Sequence, residues 1–151
     1  MGEGWKQSLD RLKELAVKTG HQRTFMIDNN SRKQAAVEFL QLVVAGRIDD
    51  AYTKHVDMRG KHHNPFYPAG FPALKKAMIE NHVKFPSKQL TVKNVLGESG
   101  FVAVHSRIVL RPGEAGIEAV HLFRFQSDKI VEMWDCVQSV PTDSPNRDGA
   151  F

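Results

Sequence analysis

The 151 residues, 41% hydrophobic and 25% charged, suffice for one domain with its own core and are too few for two. No apolar run approaches the ~20 residues of a membrane helix, and the mixed charges of "MGEGWKQSLDRLKELAVKTG" do not make a secretory signal, so a cytoplasmic protein is expected. The formal net charge of +4 comes from Lys and Arg scattered along the chain, which argues against nucleic-acid and membrane partners, and the single Cys136 excludes an internal disulfide or a Cys-paired zinc site.

In chain order, Trp5, Leu9, Leu12 and Ala16 recur at helical spacing and are followed by loop residues, so residues 1–31 read as a helical appendage to a domain over 32–151. Ser31 with Gln34 forms a capping-box pattern that predicts a helix from about Arg32 to Ala45, burying Ala36, Phe39, Leu40, Val43 and Val44 and ending at Gly46. A shorter helix is expected over Asp49 to His55, then a short strand before Asn64 and an irregular stretch through Pro65, Pro68 and Gly70. Leu74, Ala77, Met78 and His82 share a face of a third helix that stops at Phe85 and Pro86.

From Gln89 the hydrophobic period falls from 3.6 to 2. Strands are predicted over Gln89 to Glu98, Phe101 to Leu110, Gly116 to Gln126 and Lys129 to Val140, joined by turns short enough for hairpins. Helices followed by a strand meander imply an α+β domain, a strongly curved antiparallel sheet wrapped around about three helices. Both faces of these strands carry apolar residues, and a homodimer through the outer sheet face is the expected cover for the second one.

The polar residues inside these strands are the candidates for function. On the strand from Gly116, Ala119, His121, Phe123 and Phe125 share one face. A hairpin turning near Pro112 and Gly113 brings residues whose numbers sum to about 226 opposite one another, setting His105 across from His121 on that same face. On the last strand, Trp134 offers an apolar wall and Gln138 an amide, whereas Asp135 has the other parity and is available to pair with Arg107 or Arg124. His62 or His63, with Asn64, belongs at the mouth of the same concavity. A strand histidine is most often a hydrogen-bonded core or interface residue; the convergence of several such groups on one apolar site is what favours a small-molecule pocket. No His-x-His or His-Glu-x-x-His spacing, Gly-rich phosphate loop or Gly-x-Ser-x-Gly elbow is present, so neither a metal nor a cofactor is expected.

The segments "HHNP", "GFPALKKAM", "VAVHSRI", "VHLFRFQSDKIVEMWDCVQSVP" and "PNRDGAF" resemble the SnoaL-like polyketide cyclases, in particular their predicted aldol-condensation branch, within the nuclear transport factor 2-like superfamily. The resemblance spans about residues 32 to 151. It implies a cone-shaped α+β barrel with a deep apolar pocket, usually dimeric through its sheet. In the family the strand motif V-D-x-F-R-F supplies an acid/base Asp, and His121 stands at that position here. His63 and Asn64 match the family's Q-H-N-P with His62 for Gln, and Trp134, Asp135 and Gln138 match H-W-D-x-x-Q with Met133 for His. The expected function is proton transfer on a small apolar carbonyl compound: aldol cyclisation, isomerisation or dehydration. His121 and His105 would be catalytic, with His63, Asn64, Phe123, Trp134 and Gln138 binding substrate. The rivals are a non-catalytic carrier of a lipid-like or aromatic ligand and an epoxide-hydrolase-like enzyme. The second is weakened because Gln138 stands where the last Asp of its Arg-x-Asp arrangement is expected.

Overall fold

The computed structural model describes residues 28–151, so the helix expected around Trp5 to Ala16 lies outside the described residues. Helix α1 spans residues 28–44, and Ala36, Phe39, Leu40 and Val43 form its buried stripe. Because residues 28–30 are already helical, Ser31 lies within the helix and not at its cap, and Asp28 instead pairs with Arg32 one turn on at 2.7 Å. The helix ends as expected at Gly46. Its N–H bonds to the Val43 carbonyl and that of Arg47 reaches back to Leu42, an ending that requires a positive φ at the glycine (+80°). A side chain at Gly46 would also collide with the His82 ring.

Helix α2 (Ile48–His55) buries Ile48, Ala51, Tyr52 and His55, with Asp49 and Asp50 in its first turn and Lys54 and His55 in its last, each sign suited to its end of the helix dipole. Strand β1 (Val56–His62) follows directly. Helix α3 (Phe71–Lys84) starts with Pro72 in its first turn, where the missing N–H costs nothing, and stops before Phe85-Pro86.

Strands β2 (Gln89–Glu98), β3 (Phe101–Val109), β4 (Ile117–Gln126) and β5 (Lys129–Ser139) form the meander, with boundaries within a residue of those read from the period-2 pattern. The sheet order is β1-β5-β4-β3-β2. It is mixed, not wholly antiparallel, because β1 returns alongside β5 in the same direction, and it is open, with β1 and β2 as its edges. Irregularities in the β1–β5, β2–β3 and β4–β5 pairings bend the strands around the helices.

The core lies between the helices and the inner sheet face. Phe39 packs edge-on against Tyr52 (5.5 Å between ring centres) and Phe123 (5.8 Å), and Tyr52 against Phe71 (6.2 Å), with Val102, Val104, Phe125, Ile130 and Met133 completing it. Phe123, expected in a substrate pocket, is fully buried in this cluster and serves packing. The outer face is different in kind: Leu96, Phe101 and Val120 remain largely or partly exposed there.

Candidate functional site

Along β4 the inward set is Ala119, His121, Phe123 and Phe125, as the alternation implied. Along β3 it is Val102, Val104 and Ser106, so His105 faces the other way. The observed register pairs Val104 with His121 and His105 with Val120, one residue from the register expected, and a one-residue slip carries every side chain to the opposite face. The loop between the strands sets that register. Arg107 Nε donates to the Ala115 carbonyl at 3.0 Å, and the N–H of Glu114 bonds to the Arg111 carbonyl.

His105 is therefore an outer-face residue with both ring nitrogens engaged, Nδ1 with Asn94 (3.0 Å) and Nε2 with Glu118 (3.0 Å). Gln138 also lies outside, donating to the second oxygen of Glu118. Trp134 faces outward too and stacks on His63 at 4.8 Å and 7°. His63 in turn bonds Glu132 at 2.7 Å. Glu132 is further held by Arg124 and Lys61, and these partners, His63 first, keep its carboxyl down at about 2. Of the expected site residues, His105, His63, Trp134 and Gln138 thus belong to the outer face. His62 is buried and outside the wall of the cavity that holds His121: it accepts from the Asn64 N–H through Nδ1 and so donates through Nε2 to the Pro68 carbonyl (2.8 Å), pinning the loop.

Two expected residues do converge. His121 lies in the wall of a partly open cavity of about 210 Å³ between the sheet, α1, α3 and the 63–70 loop, and Asn64 lies in the same wall. The loop pinned by His62 holds Asn64 with its Oδ1 accepting from the Phe66 N–H and its Nδ2 donating to Asp135 Oδ2 at 2.8 Å. Asp135 sits directly opposite His121 on β5. The salt bridge expected with Arg107 or Arg124 does not form: Arg107 is held by the Ala115 and Glu114 carbonyls and Arg124 by Glu132, and Asp135 lines the cavity with Asn64 as its donor.

The remaining wall is mainly apolar, including Leu40, Leu74, Met78, Ile108, Ile117 and Val137. Three further polar residues, Tyr67, Asn81 and Lys88, also line it, and none was singled out from the sequence. Their only sequence signal is position: Tyr67 in the same loop as Asn64, Asn81 one turn beyond Ala77 and Met78, and Lys88 immediately before β2.

His121 is mostly buried and contributes to the wall of the cavity. Its Nδ1 is buried without a hydrogen-bond partner among the described residues. Burial drives its pKa below the ordinary 6.5, and the Asp135 charge opposes that shift only in part. The imidazole is consequently neutral near pH 7 and free to accept a proton, and Asp135 is placed to stabilise the cation that results.

No family model and no curated protein matches the chain. Solved structures do. A nuclear transport factor 2-like protein of unknown function from Burkholderia xenovorans LB400 superposes with a TM-score of 0.64 at 18% identity, over 80% of this chain and 91% of that one. A SnoaL-like protein of unknown function from Burkholderia thailandensis E264 gives 0.62 at 16% identity, over 73% and 96%. A candidate ketosteroid isomerase from Kribbella flavida DSM 17836 gives 0.61 at 16% identity, over 80% and 87%. The curved sheet closed over by helices, with its cavity at the inner face, is the nuclear transport factor 2-like fold, and this chain has that fold in common with SnoaL-like proteins.

Proposed function

We propose that the chain is a cofactor-independent enzyme that moves a proton on a small apolar carbonyl compound, with His121 as general base. The observation that carries this reading is an imidazole in the wall of an apolar cavity, its Nδ1 buried without a partner among the described residues and its β5 neighbour the Asp135 carboxylate. His121 removes a proton from the carbon beside the carbonyl. Asp135, held by Asn64, stabilises the imidazolium, and Tyr67 supplies a hydroxyl donor for the developing enolate oxygen. Protonation of the enolate elsewhere gives isomerisation, its attack on a second carbonyl gives aldol closure, and loss of a β-hydroxyl gives dehydration. The cavity of about 210 Å³ is smaller than the ~300–1,000 Å³ of pockets for drug-sized ligands, which favours a compact substrate over a multi-ring one. SnoaL-like proteins, a candidate polyketide cyclase and a candidate ketosteroid isomerase among the structural neighbours support the same class of chemistry.

The outer sheet face, with Leu96, Phe101 and Val120 exposed around the His105 and Trp134 clusters, is the surface we propose for pairing two copies of the chain. The catalytic reading is tested by incubating the protein in D₂O with a panel of compact aryl and cyclic ketones and following loss of the α-proton signals by NMR. Exchange is expected with the wild type, half-maximal below pH 6.5, and absent in His121→Asn. Exchange equal in that variant, or none in the wild type, would overturn it and leave a ligand carrier.

A further inference from the structure

Lys88 is an oddity in the cavity wall. It keeps only 9% of its surface, and its Nζ makes one hydrogen bond to a side chain, to Asn81 Oδ1 at 2.7 Å. Asn81 is neutral and lines the same cavity. Among the described residues no carboxylate comes within ion-pair distance of Lys88, and Asp135, the acidic group in this wall, is engaged by Asn64. Burying an ammonium in apolar surroundings is unfavourable unless a partner offsets its lost hydration. Burial alone accordingly lowers the Lys88 pKa, with no neighbouring charge to restore it.

The sheet register places Lys88 relative to His121. Gln89 pairs with Val109, so Lys88 enters the sheet beside the far end of β3, whereas His121 pairs with Val104 nearer its start. Ile108, Ile117 and Val137 lie in the wall at the intervening levels. A ligand filling this cavity therefore meets a general base at one level, an apolar middle, and at the other an ammonium whose one side-chain partner among the described residues is Asn81.

We infer that Lys88, steadied by Asn81, is the anchor for an anionic group of the substrate, and that the substrate is a compact apolar keto acid whose carboxylate pairs with Lys88 while its carbonyl carbon chain reaches His121. This rests on the reading of the cavity as a substrate pocket. It makes the cavity selective: a carboxylate meets a preformed cation that has already been desolvated, and a neutral analogue leaves that cation unpaired.

The test uses 5-benzoylpentanoate, whose ketone and carboxylate are separated by a four-methylene chain that can cross the apolar middle, against its primary amide, with affinities measured by NMR titration on protein shown to be folded by circular dichroism. The wild type should bind the acid about tenfold tighter or more than the amide. Lys88→Met, which keeps the apolar stem, should bind the two alike, and Lys88→Arg should retain the preference. His121→Asn should also retain it while losing α-proton exchange, so that failure of the catalytic reading and failure of this one are told apart. Equal affinity of acid and amide for the wild type, survival of the preference in Lys88→Met, or no binding of the acid overturns the inference.

Discussion

The two faces of the sheet each carry a histidine near the middle of a central strand, and they treat it oppositely. On the outer face His105 has Asn94 on one nitrogen and Glu118 on the other, beside Gln138. On the inner face His121 has a buried Nδ1 with no partner among the described residues, and its neighbouring carboxylate is turned to Asn64. A satisfied polar cluster on a half-exposed face adds to local order and little else. An unsatisfied nitrogen buried at the inner face costs stability.

The sharpest way to break this comparison is to exchange the two histidines' roles. His121→Asn should reduce α-proton exchange by about 100-fold or more, the usual weight of a general base, and His105→Asn should leave it within a factor of about two; a comparable loss in both would show that burial is not what separates them. Next in size is packing. Phe123→Ala removes a fully buried ring that packs on Phe39 and should cost about 3–5 kcal/mol in urea unfolding. Phe101→Ala, on the outer face, should cost roughly 1 kcal/mol in the folding of the chain, and Phe101→Glu should lower the molar mass seen by light scattering if the outer faces pair.

Asp135→Asn isolates the charge behind His121. Since that charge raises the His121 pKa against burial, removing it should move the midpoint of the rate profile further down. Catalysis at its plateau should weaken by about tenfold as the imidazolium loses its counter-charge, read from exchange rates across pH 4 to 8, a window of roughly two units around the ordinary histidine value. An upward shift of the midpoint would contradict the assignment.

The smallest effect is on stability. His121 and His55 both have pKa values lowered chiefly by burial, so below the unfolded value the unfolded chain binds protons that the folded one resists. Their contribution is fully present above about pH 6.5, declines as the pH falls toward the folded values, and then levels off. Urea midpoints should accordingly drop between neutral and mildly acidic pH, and His121→Asn should flatten part of that drop.

Much of the architecture was legible in the residues. The change of period at Gln89, the hairpin turns and the helix ending at Gly46 all follow from local rules, and they place the strands within a residue. The placement of Asn64 and His121 on the inner side was also legible, and both lie in the cavity wall. His105, His63, Trp134 and Gln138 were not, because both faces of β3 and β5 carry apolar residues and alternation does not say which set turns inward. On β5 the weight of Trp134 pointed to the wrong set.

Pairing across the β4–β5 turn shows why. Gln126 faces Lys129 and Phe125 faces Ile130, but beyond that point one extra residue, Val131, is accommodated on β5, so that Arg124 faces Glu132 and His121 faces Asp135. Without that bulge the same strand would set Trp134 opposite His121. The amino-acid sequence by itself determined the elements, their order and the inward histidine of β4, because propensity, period and turn chemistry act over a few residues. Only the tertiary structure decided that Asp135 and Lys88 share its cavity and that His105 does not. Register and bulges are set by contacts between strands, and a single residue of slip reverses every side chain beyond it.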